Sequence, residues 1–121
     1  MASLDMQGAY DFNSSEIDRV VTKTSFGNYA LGHLEKLGEG ETFIVEYVGR
    51  SDTDINKELK ARLSLKYSKF KFSYATSPKD AFEKECRNYH DFGGSDKLAN
   101  KIHPDRPAGT DWKCPSCNIF D

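Results

Sequence analysis

The chain contains no apolar run that approaches the length of about 20 residues needed to cross a bilayer, and its mean hydropathy is −0.69. No membrane partner is therefore expected. The N-terminus lacks a basic stretch followed by an apolar one, so a secretory leader is not read there and a cytoplasmic setting is expected. Cysteine is scarce, with 3 in 121 residues, which does not fit the dense, even set of a disulfide-stapled secreted domain. An odd count that includes one CxxC pair points instead to a metal or to inert thiols. Nor is there an excess of basic charge: 17 Lys and Arg stand against 19 Asp and Glu, for a net charge of −2. That excludes a polycation that coats nucleic acid by charge alone. Repeats and low-complexity tracts are also missing, so solenoid and fibrous architectures drop out.

What remains is a chain of one-domain length whose apolar residues fall into short periodic segments. Residues 1–25 read as an N-terminal arm with a short helix, capped by Ser14 or Ser15 and carrying Ile17, Val20 and Val21 on one edge. Tyr29, Leu31 and Leu34 mark a strand over Asn28 to Leu34, and FIVEYV over Phe43 to Val48 marks a second. Gly38 and Gly40 lie between them, which predicts an antiparallel hairpin. Capping residues at Asp52, Thr53 and Asp54 precede Ile55, Leu59 and Leu63, spaced as one face of an amphipathic helix. Lys69 to Ala75 then alternates Phe70, Phe72 and Tyr74 with charged or small residues, a strand with one buried face. The fold class predicted is α/β in the layered α+β sense: helices on a small, mostly antiparallel sheet of three strands.

The segment from Pro78 to Phe92 is the richest in chemistry. Ser77 caps it, Pro78 suits the first helical position, and Gly93 with Gly94 stops it. On a helical wheel Ala81, Phe82, Glu85, Tyr89 and Phe92 share a face, which puts the Glu85 carboxylate inside an apolar stripe. A carboxylate there needs a cationic partner, a hydrogen-bonding cluster or a metal. Cys86 and His90 stand one turn apart at the border of the same stripe.

Gly27-Asn28-Tyr29 opens the first strand and Tyr47-Val48-Gly49 closes the second. In that order, with the helices that follow, residues 26–103 resemble the GIY-YIG nuclease family. The resemblance implies a divalent-metal-dependent phosphodiester hydrolase acting on DNA or RNA, with Glu85 as the glutamate that holds Mg²⁺ or Mn²⁺ and Asn100 as its later asparagine. The chain departs from the pattern in three places, of which Val48 for isoleucine in the second motif is the mildest. Asn28 replaces an aliphatic residue, and Glu58 occupies the position most like the family's arginine, so Arg62 one turn on, or Arg50 directly after Gly49, would have to supply the cation. Cleavage chemistry needs a metal to polarise the phosphate, a group to prepare water, and a cation for developing charge. Tyr29 and Tyr47 on adjacent strands are the candidates to orient or deprotonate that water. Each residue also has a plain reading: core tyrosines, a turn asparagine, a buried Glu85–arginine pair, and an Arg62–Glu58 bond along the helix. A noncatalytic module binding nucleic acid or protein is the alternative function, and a domain this small would need a targeting protein or an assembly to find its substrate.

The tail, residues 104–121, carries Cys114-Pro115-Ser116-Cys117. Two thiolates at this spacing hold half of a tetrahedral zinc site, and Cys86 with His90 would complete it as a structural Zn²⁺; His103 is an alternative to either, and free thiols are the competing reading. Between Lys57 and Lys71 a run of basic residues with Tyr67, Phe70 and Phe72 is compatible with a polyanion and with an ordinary solvated surface. Trp112 is expected to anchor the tail, and His33 is unassigned.

Overall fold

A computed structural model describes residues 4–100, 103–106, 109–117 and 119. The elements run β1 (Gln7–Asp11), α1 (Ser14–Val20), β2 (Gly27–Leu37), β3 (Gly40–Ser51), α2 (Ile55–Ala61), β4 (Lys69–Tyr74), α3 (Pro78–Asp91) and the single turn α4 (Gly94–Lys97), with a 3₁₀ turn at Leu63–Leu65.

The architecture is α+β, a four-stranded sheet in the order β1-β4-β2-β3 with every neighbouring pair antiparallel. Three strands were expected, and the fourth is β1, inside the segment read as an arm. Its five residues give too short a pattern to announce a strand, and only pairing with β4 makes it one. The hairpin stands as expected but longer: β2 and β3 pair from Gly27↔Ser51 to Leu37↔Gly40. Its loop is Gly38-Glu39, and Gly38 has φ +68°, a conformation a side chain disfavours. Caps shift slightly. Asn13, not Ser14 or Ser15, accepts the Glu16 N–H at the start of α1, and Asp54 accepts from Asn56 at α2.

Strand alternation divides the core between the two sheet faces. Tyr29, Leu31, Phe70 and Phe72 meet Ile17 and Val21 of α1 and Ile55 and Leu59 of α2. Ala30 and Val48 point the other way, toward Tyr89 of α3 and Leu98. Helix α3 buries Ala81, Phe82, Glu85 and Tyr89 of the stripe read from sequence, together with Cys86 from its border and Asn88, while Phe92 is its half-buried C-cap. Past α4 the chain lies along the outer edge of β3. Ala99 N–H donates to the Glu46 carbonyl at 2.6 Å, and Asn100 both accepts from Val48 N–H at 2.9 Å and donates to its carbonyl at 2.8 Å. A side-chain amide thus does for this edge what another strand would.

Four basic residues of the run from Lys57 to Lys71 have partners within the fold. Lys60 pairs with Asp18 at 2.6 Å, Lys69 pairs with Asp11, Arg62 pairs with Glu58 at 3.0 Å, and Lys71 lies over the Phe43 ring. His33, unassigned from sequence, sits between Glu46 at 2.9 Å and Glu35 at 3.3 Å, which together raise its pKa.

Candidate functional site

A cleft of about 310 Å³ opens beside β3, lined by Tyr29, Tyr47, Arg50, Glu58, Arg62 and Glu85 with Gly49, Asp52 and Asp105. Five of the six residues proposed from sequence therefore meet at one place, drawn from β2, β3, α3 and Arg62 at the C-terminal cap of α2. The sixth, Asn100, is absent from the lining because its amide is spent on both polar groups of Val48. It holds the edge of the strand that carries Tyr47 and Arg50, a positioning role rather than a contact with anything in the cleft.

Gly49 makes the cleft possible. A Cβ there would lie 2.3 Å from both Cζ and Oη of Tyr29, so the tyrosine ring crosses the strand where a side chain is missing. Tyr29 and Tyr47 stack with centroids 6.3 Å apart and planes at 19°. The Tyr29 hydroxyl donates to Glu58 Oε2 at 3.1 Å, and Arg62 Nε donates to the same oxygen at 3.0 Å. Glu58, at the position where a cation was expected, thus joins the phenol to the arginine one turn on. Burial first, and then the charge of Glu58, push the Tyr29 pKa well above its ordinary value. The phenol gives its one proton to Glu58, so it can orient a water by accepting from it, and removing a proton is not its work in this arrangement.

Arg50 is more deeply placed. Its Nε donates to Asp52 at 3.0 Å, Nη1 to Glu85 Oε1 at 2.6 Å and Nη2 to the Asp105 carbonyl at 2.6 Å, and its guanidinium lies 5.2 Å from the Phe82 ring centroid. Burial opposes its charge, but the bonds to Asp52 and Glu85 outweigh that and raise its pKa. Burial likewise pushes Glu85 up to about 7, with Arg50 pulling it back. The plain expectation of a Glu85–arginine pair is met by Arg50. Arg62, with 42% of its side chain exposed, is the more accessible cation.

A second constellation lies behind α3. His90 of α3 and His103, Cys114 and Cys117 of the tail present one ligand atom each, all within 4.8 Å of one another. The His90 and His103 Nε2 atoms are 3.1 Å apart, and Cys117 Sγ is 3.4 Å from His103 Nε2. His103 faces the Pro104 carbonyl with Nδ1 at 2.8 Å, which fixes the tautomer that leaves Nε2 as a ligand. Burial and the neighbouring His103 hold the His90 pKa below the usual imidazole value. Two imidazoles and two cysteines converging in this way can hold a metal such as zinc.

The group holds three of the four expected ligands, with His103, the named alternative, in place of Cys86. Cys86 is outside the group, buried with Phe82 and Cys114, its thiol hydrogen-bonded to Cys114 and raised in pKa by burial first. Its helical spacing to His90 fits a ligand pair, but the helix turns it toward the Phe82 side while His103 takes the fourth corner. Trp112 anchors the tail against Phe82 at 6.1 Å between centroids. No helix among the described residues is long and apolar enough to cross a membrane. Compared with family models, curated proteins and solved structures, the chain matches none of them.

Proposed function

We propose that this protein is a small GIY-YIG-like endonuclease that hydrolyses phosphodiester bonds in DNA or RNA. The observation that carries the reading is the single cleft that gathers Tyr29, Tyr47, Arg50, Arg62 and Glu85 from four elements. The donor set fits Mg²⁺ or Mn²⁺ only sparsely. Glu85 is one carboxylate, Arg50 takes one of its oxygens, and the only group of three or more metal-ligating side chains found among the described residues is the His/Cys one. One carboxylate suffices because Mg²⁺ retains waters and shares phosphate oxygens. Bound at Glu85, such an ion would supply charge to the scissile phosphate. Tyr29 and Tyr47 orient the attacking water through their hydroxyls, Arg62 meets the developing negative charge, and Arg50 holds Glu85 in place. Zinc in the His/Cys group is structural in this reading, a nucleic acid is the partner, a targeting protein directs so small a domain, and the setting is cytoplasmic.

A noncatalytic binding module on the same scaffold is the second reading. It is favoured by the acids of the cleft, since Asp52, Glu58 and Glu85 already engage both arginines. Cleavage of duplex, branched and single-stranded substrates in Mg²⁺ or Mn²⁺ separates the two. Nuclease activity should vanish in Glu85→Gln with the fold retained; equal cleavage by that variant removes the site. Binding without cleavage by the unaltered protein selects the second reading.

A further inference from the structure

The tail touches the cleft at one point, and that point lies close to the His/Cys group. From His103, a member of the group, the chain passes through the buried Pro104 to Asp105, whose carbonyl accepts from Arg50 Nη2 at 2.6 Å. Arg106 then donates to the Trp112 carbonyl at 3.0 Å, tying this segment to the approach of the knuckle. On the other side Arg50 is held by Glu85 of α3, the helix that also supplies His90. Arg50 is thus clamped between α3 and the tail, while the His/Cys group joins the same two parts. Two imidazole nitrogens 3.1 Å apart and a sulfur 3.4 Å from one of them stand close enough to serve as ligands of one tetrahedral cation. Among the described residues, the apolar cluster that holds the tail is Trp112, Cys114 and Cys117 against Phe82 and Cys86.

We propose that His90, His103, Cys114 and Cys117 bind one zinc ion whose occupancy holds the Asp105 carbonyl against Arg50, so that the metal sets the position of a cleft residue it never touches. Arg50 is then a positioning residue linked to the zinc site. Cys86 stays outside the coordination sphere and packs behind Cys114. The inference rests on the zinc reading of the group and does not require that the cleft cut nucleic acid.

Linkage supplies the test, because coupling between two sites is reciprocal. If zinc tightens the Arg50–Asp105 bond, loss of that bond must weaken zinc. Competition with a chromogenic chelator should give a zinc dissociation constant about tenfold higher in Arg50→Lys, the effect of one hydrogen bond from a charged donor; a lysine ammonium cannot span Asp52, Glu85 and Asp105 as the guanidinium does. The double variant Arg50→Met/Glu85→Gln removes the same bond without stranding a buried carboxylate, and the same loss is expected there. Unchanged affinity, within twofold of the unaltered protein, in both variants overturns the coupling. Failure of the unaltered protein to bind zinc at all overturns the site itself, and neither outcome depends on cleavage.

Discussion

Replacing Arg50 by methionine removes a cation whose side chain is 12% exposed from a carboxylate that is 11% exposed, and with it the bonds to Asp52, Glu85 and the Asp105 carbonyl. Breaking one half of a buried ion pair costs about 3–5 kcal/mol, because the remaining charge keeps its desolvation penalty and loses its partner. Protonation of Glu85 limits the cost, and pH therefore exposes the mechanism. In the unaltered protein burial already raises the Glu85 pKa from 4.5 to about 7, so the folded state binds more protons than the unfolded state between those values. The stability contributed by this group is thus complete below about 4.5 and is lost as pH rises through about 7. Without Arg50 the causes that lower the pKa disappear, the carboxyl stays protonated to higher pH, and the variant suffers most where the unfolded chain ionises freely. Urea melts at pH 8 should show the loss of about 3–5 kcal/mol, a fall in Tm of roughly 15 °C for a domain of this size, with a clearly smaller loss at pH 5. Adding Glu85→Gln should recover much of the deficit at pH 8 and flatten its pH dependence. A loss below about 1 kcal/mol at pH 8, or a deficit that Glu85→Gln leaves untouched, would refute the pairing.

Gly49→Ala would drive a methyl to 2.3 Å from the Tyr29 ring, against a side chain buried at the centre of the sheet. Overpacking of this kind costs about 1–3 kcal/mol, and denaturant melts with near-ultraviolet circular dichroism should show both the loss and a moved tyrosine; an unperturbed spectrum would contradict the crossing of Tyr29 over Gly49. Elemental analysis should find about one zinc per chain in protein purified without added metal. His103→Ala should lose that zinc and Cys86→Ala should keep it, and the reverse pattern would restore Cys86 to the ligand set.

Much of the frame was legible from local chemistry. The alternation of Phe70, Phe72 and Tyr74 gave β4 its period of two, and the cap at Ser77 with the glycines at 93 and 94 bounded α3 to within one residue. Glu85 could be placed on a buried face from helical spacing alone. β1 could not be read, because the apolar signal in Gln7–Asp11 is short and its hydrogen bonds come from β4, about 60 residues away along the chain. That Cys86 lies outside the His/Cys group, with His103 inside it, was hidden for a related reason. Spacing says that two side chains on a helix are neighbours, but the approach of the tail decides which of them meets the knuckle.

The sequence by itself determined the periodic elements, the scarce cysteines with their CxxC spacing, and the carboxylate inside the α3 stripe, since these depend on residues a few positions apart. Only the tertiary structure decided what that carboxylate faces. Arg50 reaches Glu85 because β3 and α3 pack side by side, Glu58 bridges Tyr29 and Arg62 because α2 crosses the other sheet face, and Asn100 serves the edge of β3 instead of the cleft. Apart from Glu58–Arg62, one helical turn apart, each of these bonds joins groups whose separation along the chain carries no information about their separation in space, so a side chain's partner, and with it its charge state, is set by packing.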